Sequence, residues 1–252
     1  YCLERLGCGL DEVMVVTPSD HIIQPVETFT ANLRQALGLT KMNKIVTLGV
    51  KPDSPETGYG YIQAGKPLGS GFNVESFHEK PDRATAEAYL AAGSYYWNSG
   101  MLVFTAGCFM DELRVYQPDI YALTDSPLDT MTENFAEMPN ISIDYAVVEK
   151  SRQVVMLPLT TEWSDIGSWD AVYNLLDKDA DGNAVHGDCI QIDCSNTLIL
   201  GHSRLIAGIG LEDLLVVETG DVIVVAKKGE SQQVKDLVSE LMAKGRVEAE
   251  EH

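Results

Sequence analysis

Phe77-His78-Glu79-Lys80-Pro81-Asp82 and, after the run from Arg83 to Ala92, Tyr95-Tyr96-Trp97-Asn98-Ser99-Gly100-Met101 form the stretch whose reading decides the fold. The first part predicts a strand ending at Phe77 that delivers Glu79 and Lys80 to its tip, because Pro81 has no N–H to extend a ladder. Residues 83–92 predict an amphipathic helix. The chain then returns through Trp97-Asn98-Ser99-Gly100 into the apolar run Met101-Leu102-Val103-Phe104, so Asn98 is expected at the mouth of a second buried strand. Two strand mouths bearing an acid, a cation and an amide suit a hydroxylated, phosphorylated ligand. Alternation puts His78 and Lys80 on one face and Phe77 and Glu79 on the other. A Glu-Lys pair is ordinarily surface charge, but its junction with Pro81 and Trp97-Asn98 favours a site, and Lys80 suits a phosphate as a point charge. Tyr95, Tyr96 and Trp97 are expected to pack around it.

Working outward, residues 1–9 carry helix-like apolar spacing without a cap. Val13-Met14-Val15-Val16 predicts a strand buried on both faces of a parallel sheet. Thr17-Pro18-Ser19-Asp20-His21 then stands at a strand's carboxyl end, where open α/β sheets bind ligands. From the residues alone Asp20 is equally a ligand for a hard cation or the cap of a following helix, and His21 is a structural histidine. A helix is expected from Val26 to Leu37 with Gly38 as its stop, then a buried strand over Ile45–Val50. Lys51 to Tyr61 is too rich in Pro and Gly for regular structure and predicts a loop before the strand 61–64. Gly60 there either makes a plain turn or lets a ligand approach the backbone.

Residues 106–138 predict helices broken at Pro118 and Pro127. Ser142 is expected to cap a short helix whose first turn holds Asp144, placed there by the macrodipole or facing a ligand. Val154–Leu159 returns to the sheet. Trp163-Ser164-Asp165-Ile166-Gly167-Ser168-Trp169 puts Asp165 at a strand-to-helix turn, with Ser168 as cap. From Asp188 the pattern changes to short strands near 190–192, 197–200, 204–207, 214–217 and 222–225, expected to form a β-helix-like appendage closed by an amphipathic helix over 227–245. The division expected is residues 1–177 and 178–252.

These islands, with Thr57-Gly58-Tyr59-Gly60-Tyr61 and Ser142-Ile143-Asp144-Tyr145-Ala146, taken in order along the chain resemble the sugar-1-phosphate nucleotidylyltransferases, in particular the mannose-1-phosphate guanylyltransferase family. The resemblance implies an α/β, Rossmann-like (GT-A-like) mixed sheet flanked by helices. It implies transfer of a nucleotidyl group from GTP to mannose-1-phosphate, giving GDP-mannose and pyrophosphate. On it, Lys80 would contact the sugar phosphate, Glu79 and Asn98 the sugar hydroxyls, and Tyr59, Gly60 and Asp144 would face the sugar. Asp20 and Asp165 would clamp Mg2+, making Lys80, Asp20 and Asp165 the catalytic set. The C-terminal region would pair subunits into a dimer. Members of this family begin with a glycine-rich loop carrying an Arg that wraps the triphosphate; none precedes Asp20, so the chain is expected to be a fragment. Other readings are glucose-1-phosphate with UTP or dTTP, and a sugar-phosphate-binding, self-associating module without turnover.

Composition bounds these readings. The 252 residues are 45% apolar and 22% charged, the balance of a water-soluble globular chain expected in the cytoplasm. A formal net charge of −20 argues against nucleic acid and anionic membrane as partners. It also requires a phosphate site to supply positive charge locally. The acidic tail from Glu248 to Glu251 is expected to be solvated. The five cysteines lack Cys-x-x-Cys spacing, and Cys189 and Cys194, five apart on one expected strand, would face opposite sides and share no metal.

Overall fold

The Ile-Val-Thr-Leu-Gly-Val run at 45–50 is buried at every position, as in a strand covered on both faces. In the computed structural model, which describes residues 1–124 and 126–249, the chain divides into two compact units, 1–163 and 164 onward. In the first unit a four-residue helix α1 (Cys2–Arg5) precedes strands β1 (Val13–Val16) and β2 (Ile22–Gln24) and helix α2 (Val26–Thr40). Strands β3 (Ile45–Val50), β4 (Tyr61–Leu68) and β5 (Gly71–His78), helix α3 (Arg83–Ala92) and strand β6 (Tyr95–Thr105) follow. Helices α4 (Ala106–Tyr116), α5 (Pro118–Leu123) and α6 (Leu128–Glu133), a π-helical turn over Asp144–Val148 and strand β7 (Val154–Leu159) complete it, and strand β8 (Glu162–Ser164) runs across the division.

Six strands form one mixed sheet in the order β1-β6-β3-β7-β5-β4, with β3 and β7 parallel and the other pairs antiparallel. Ala36 and Leu39 of α2 pack on one apolar cluster; Cys108 and Leu113 of α4 join the π turn's Ala146, Val147 and Val148 in another. Helix α3 begins where the Asp82 carboxylate accepts the Thr85 N–H at 2.8 Å and ends at Gly93, whose φ of +68° a glycine adopts without strain.

Several sequence expectations need correction. Strand β1 is an edge strand, antiparallel to β6 with Val16 opposite Leu102, and Val15 and Val16 are exposed rather than buried. A four-residue apolar run does not say how many neighbours it has. Helix α2 runs past Gly38, where an added Cβ would meet nothing, so the glycine imposes no stop. Asn98, expected at the mouth of a strand, lies inside β6, where pairing with β3 slips between Thr47 and Gly49 and Gly100 takes a φ of +71°. Such a bulge re-aims side chains while the ladder continues.

In the second unit, helix α7 (Trp169–Leu175) is followed by strands β9 (Ala184–His186), β10 (Cys189–Ile192), β11 (Leu198–Leu200), β12 (Ile206–Ile209), β13 (Leu214–Glu218) and β14 (Ile223–Lys227). Ala184, Leu198 and Leu215 stand in register on parallel strands, and β10 pairs in parallel with β12, the stacking of a β-helix. Tyr173 joins that column's buried side chains. The corners fall at Asp193, Asn196 and Asp213, all near φ +50°, which short polar side chains tolerate. Strand β9 was not expected, and helix α8 (Val234–Ala243) starts later than residue 227, which ends β14.

The left-handed corner at Asp193 also ends β10 before Cys194, so the two thiols do not face opposite sides of one strand; Cys194 lies near enough to help push the Cys189 thiol upward, after burial. In the tail, Glu248 pairs with Arg246 and Ala249 is buried, while Glu250 and Glu251 lie outside the described residues. No helix among the described residues is long and apolar enough to cross a membrane.

Candidate active site

The Tyr59-Gly60 backbone ties together two segments that sequence reasoning had to join by inference. Its Tyr59 carbonyl accepts the Lys80 N–H at 3.2 Å, and its Gly60 carbonyl accepts the Asn98 N–H at 2.8 Å. Strand β5 ends at His78 and Lys80 adopts a φ of +42°, so the pleat breaks before Lys80. The expected alternation therefore fails: instead of pointing away from Glu79, the Lys80 ammonium donates to Glu79 Oε1 at 2.8 Å. That bond is the first cause raising the Lys80 pKa, with the charges of Glu79, Tyr145 and Asp144 adding to it.

Gly60 gives its missing side-chain space to the protein itself. A Cβ there would stand 2.7 Å from Glu79 Oε2 and 3.2 Å from the Phe77 ring. Glu79 is thus seated, with 23% of its side chain exposed, while the Lys80 side chain is 59% exposed. An ammonium resting on a neighbour and open to solvent can turn to a phosphate.

Asn98 faces Asp144, donating through Nδ2 to Asp144 Oδ1 at 3.1 Å. Burial pushes the Asp144 pKa up; the Asn98 bond opposes that and the Glu79 charge adds to it. Ser142 Oγ accepts the Tyr145 N–H at 3.4 Å, a weak version of the expected cap, and the helix it opens is π-helical. The π turn closes with the Glu149 N–H donating to the Asp144 carbonyl at 3.0 Å. It brings Glu149 round to the same side as Asp144, five residues earlier. Burial raises the Glu149 pKa and the charges of Glu79 and Asp144 raise it further, while its Oε1 is buried without a hydrogen-bond partner. Sequence reasoning missed Glu149, since residues five apart do not share a face of an α-helix. It also missed Thr47, whose hydroxyl donates to Asn98 Oδ1 at 3.0 Å; a lone polar residue in a buried run was the available signal.

The aromatic side chains pack on one another. Tyr59 sets its ring edge against Trp97 and Trp163, at 5.1 and 5.4 Å between centroids, and Tyr89 stacks on Tyr95 at 4.0 Å. The Trp163 indole N–H donates to His21 Nδ1 at 3.1 Å, which gives that histidine a structural partner.

Asp20 follows β1 in a loop whose Pro18 would lie 3.6 Å from a Cβ at Gly100, at the Asn98 end of the sheet. Strand β2, and no helix, comes next, which removes the capping reading; the Asp20 side chain is 80% exposed. Asp165 belongs to the second unit, where its Oδ1 accepts the Gly167 N–H at 2.9 Å and Ser168 caps α7 through the Ala171 N–H at 3.1 Å. Glu79, Lys80, Asn98, Asp144, Tyr59 and Gly60 are therefore brought together within the first unit. Among the described residues no group of three or more His, Cys, Asp or Glu forms a metal cluster.

Comparison with known proteins agrees with this architecture. The nucleotidyl transferase family model matches residues 4–182, and the model of the MannoseP isomerase/GMP-like beta-helix domain matches residues 187–241. The xanthan biosynthesis protein XanB of Xanthomonas campestris pv. campestris (strain B100) is 45% identical over 260 residues, covering 99% of this chain and 55% of that protein. A mannose-1-phosphate guanylyltransferase of Escherichia coli (strain K12) is 38% identical over 258 residues, covering 96% of this chain and 54% of its own length. A solved structure described as mannose-1-phosphate geranyltransferase from Thermus thermophilus superposes with a TM-score of 0.83 at 29% identity, covering 96% of this chain and 72% of that one. The chain spans about half the length of the curated relatives it matches. With its sheet, its clustered acid, ammonium and amide, and a family model matched from residue 4 to residue 182, the chain belongs to the nucleotidyl transferase family.

Proposed function

We propose that this chain transfers a guanylyl group from GTP to mannose-1-phosphate, forming GDP-mannose and pyrophosphate. The observation that carries the reading is the meeting of Glu79, Lys80, Asn98 and Asp144 from three distant segments. The sugar phosphate is already a nucleophile, so the protein's work is orientation and charge neutralisation. Lys80 would exchange Glu79 for the incoming phosphate, and the Glu79 and Asp144 carboxylates and the second N–H of Asn98 Nδ2 would hold sugar hydroxyls.

Mg2+ is proposed as cofactor. An exposed Asp20 carboxylate without a surrounding cage fits an ion that takes one or two protein carboxylates and completes its shell with phosphates and water. Asp165 is kept as the second donor on the family resemblance alone. When bound, the ion would supply neutralisation of phosphate charge.

Pyrophosphate release by the 252-residue chain with GTP and mannose-1-phosphate tests the proposal. A higher rate with glucose-1-phosphate and UTP or dTTP would reassign sugar and base. Calorimetric binding of mannose-1-phosphate without turnover would leave a sugar-phosphate-binding module instead.

Self-association into a dimer through the second unit is also proposed. Ile190 and Ile192 on β10 and Ile209 on β12 share the outward face of that parallel pair and are more than half exposed, an apolar patch that a second copy could cover. A monomer by analytical ultracentrifugation, unchanged in Ile209→Lys, would overturn it.

A further inference from the structure

Strand β3 contains one polar side chain, Thr47, and it is completely buried. Nothing about a strand between two neighbours asks for a hydroxyl there. Valine has nearly the same shape, a higher strand preference and no group to desolvate. A buried hydroxyl without a partner costs roughly 1–3 kcal/mol, so its bond has to matter. Thr47 Oγ donates to Asn98 Oδ1 at 3.0 Å.

The register slip between β3 and β6 falls beside this bond. Pairing runs Thr47 to Leu102, breaks, and resumes at Gly49 to Asn98. At the bulge the Asn98 side chain reaches Thr47 on β3, and the Gly100 N–H points back at Asn98 Oδ1 at 3.3 Å. Two donors converge on that oxygen. On the other side of the amide, Nδ2 meets the Asp144 carboxylate. A flipped amide would set N–H against the Gly100 N–H and oxygen against a carboxylate, losing two bonds and adding a repulsion. Thr47 makes the shorter of the two bonds to Oδ1 and the one a substitution can remove without touching the backbone.

We propose that Thr47 is a positioning residue: its hydroxyl ties the Asn98 side chain to β3, where the Gly100 N–H and the Asp144 carboxylate set the amide in the one orientation that presents Nδ2 to Asp144 and, with its second N–H, to a sugar hydroxyl. The last clause rests on the sugar-phosphate reading above; the hold on Asn98 does not. Thr47 itself touches no ligand. It acts through Asn98, and Asn98 in turn acts on Asp144, whose carboxylate also feels Glu79, Lys80 and Glu149.

The test uses Thr47→Val, which keeps the shape and removes the hydroxyl, Thr47→Ala as a second variant without it, and Thr47→Ser, which keeps it. Two signals are read by NMR on the full chain: the Asn98 side-chain amide resonances and the titration of the Asp144 carboxyl. The proposal expects both to move in Val and Ala, with Asp144 holding its proton to higher pH once Nδ2 no longer donates firmly, and both to return in Ser. Mannose-1-phosphate affinity should fall by about tenfold in Val and Ala and recover in Ser, the size of one hydrogen bond. Folded Val and Ala variants that leave both NMR signals at their wild-type positions would overturn it, as would a Ser variant that behaves like Val. If the signals move as expected but the wild-type chain does not bind mannose-1-phosphate, Thr47 keeps its role and the sugar-phosphate reading falls.

Discussion

Lys80 lies against Glu79, its own neighbour in the chain, with the ammonium 2.8 Å from Oε1, because a positive φ at Lys80 folds the strand tip back on itself. Glu79 is the more enclosed partner, and more than half of the Lys80 side chain is open to solvent. Replacing Lys80 by alanine should lower pyrophosphate release by about 10²-fold, the usual scale for losing one charge placed at a reacting group, here the attacking sugar phosphate. The thermal midpoint should scarcely move, since exposed ion pairs contribute little. A Lys80→Ala enzyme with wild-type turnover would remove the residue from the mechanism.

Gly60→Ala should separate site geometry from stability. The added Cβ meets the flexible end of Glu79 and the less yielding Phe77 ring, so the cost in unfolding free energy should be about 1–2 kcal/mol, as for mild overpacking. Ligand affinity should suffer more, because the displaced carboxylate is the one that seats Lys80. Calorimetry and thermal unfolding on the same sample check the order of the two effects.

Asp144 gives a pH dependence with a definite sign. Its folded-state proton is held more tightly than its ordinary value near 3.8 implies, first because of burial. An acid of that kind withdraws stability as pH rises from its unfolded value through its raised folded one. Asp144→Asn keeps an acceptor for Asn98 and removes the titration, so its melting temperature should lose less than wild type does over that rise. Parallel curves for the two proteins would contradict this.

Glu218, buried in the second unit, has the opposite sign. Its carboxylate accepts the N–H groups of His202, Ser203 and Arg204 and the Ser203 hydroxyl, and the pKa falls to about 2. Its contribution is present above the ordinary value of 4.5 and lost as pH falls from there toward 2. Glu218→Ala should lower the melting temperature at neutral pH and flatten the acid limb; circular dichroism across that range measures both.

Asp20→Ala should raise the Mg2+ concentration required for half-maximal pyrophosphate release by at least about tenfold, since even outer partners of a metal site cost that much. Stability should stay unchanged at so exposed a position. Chelation should abolish turnover in the wild type. Full activity in chelator would sink the magnesium proposal.

The parts of the fold legible in the sequence were those written in local chemistry. Helix α3 occupies the predicted residues 83–92, and the unbroken run of β3 announces burial on both faces. Asn98 could be placed near the tip of a strand from its motif but not within it, because bulges follow from pairing rather than composition. The turn of Lys80 back onto Glu79 was hidden, since nothing about a lysine announces a positive φ. Glu149 was hidden for a different reason: helical periodicity assumes the ordinary turn, and this helix does not use it. The edge position of β1 could not be read from Val13–Val16, because edge and interior runs share a composition.

The wide turn at Asp144–Val148 also sets a limit on change. One end holds an acid toward Asn98 while the following Ala146, Val147 and Val148 fill the core. Removing one residue of that triplet and tightening to about 3.6 per turn would keep the two ends of the segment nearly in line, because a four-residue turn replaces a five-residue one, but it would take away one of the three side chains that fill the core. Acid and apolar triplet could then no longer both be satisfied. This segment should accept exchanges of side chain far more readily than any alteration of its length.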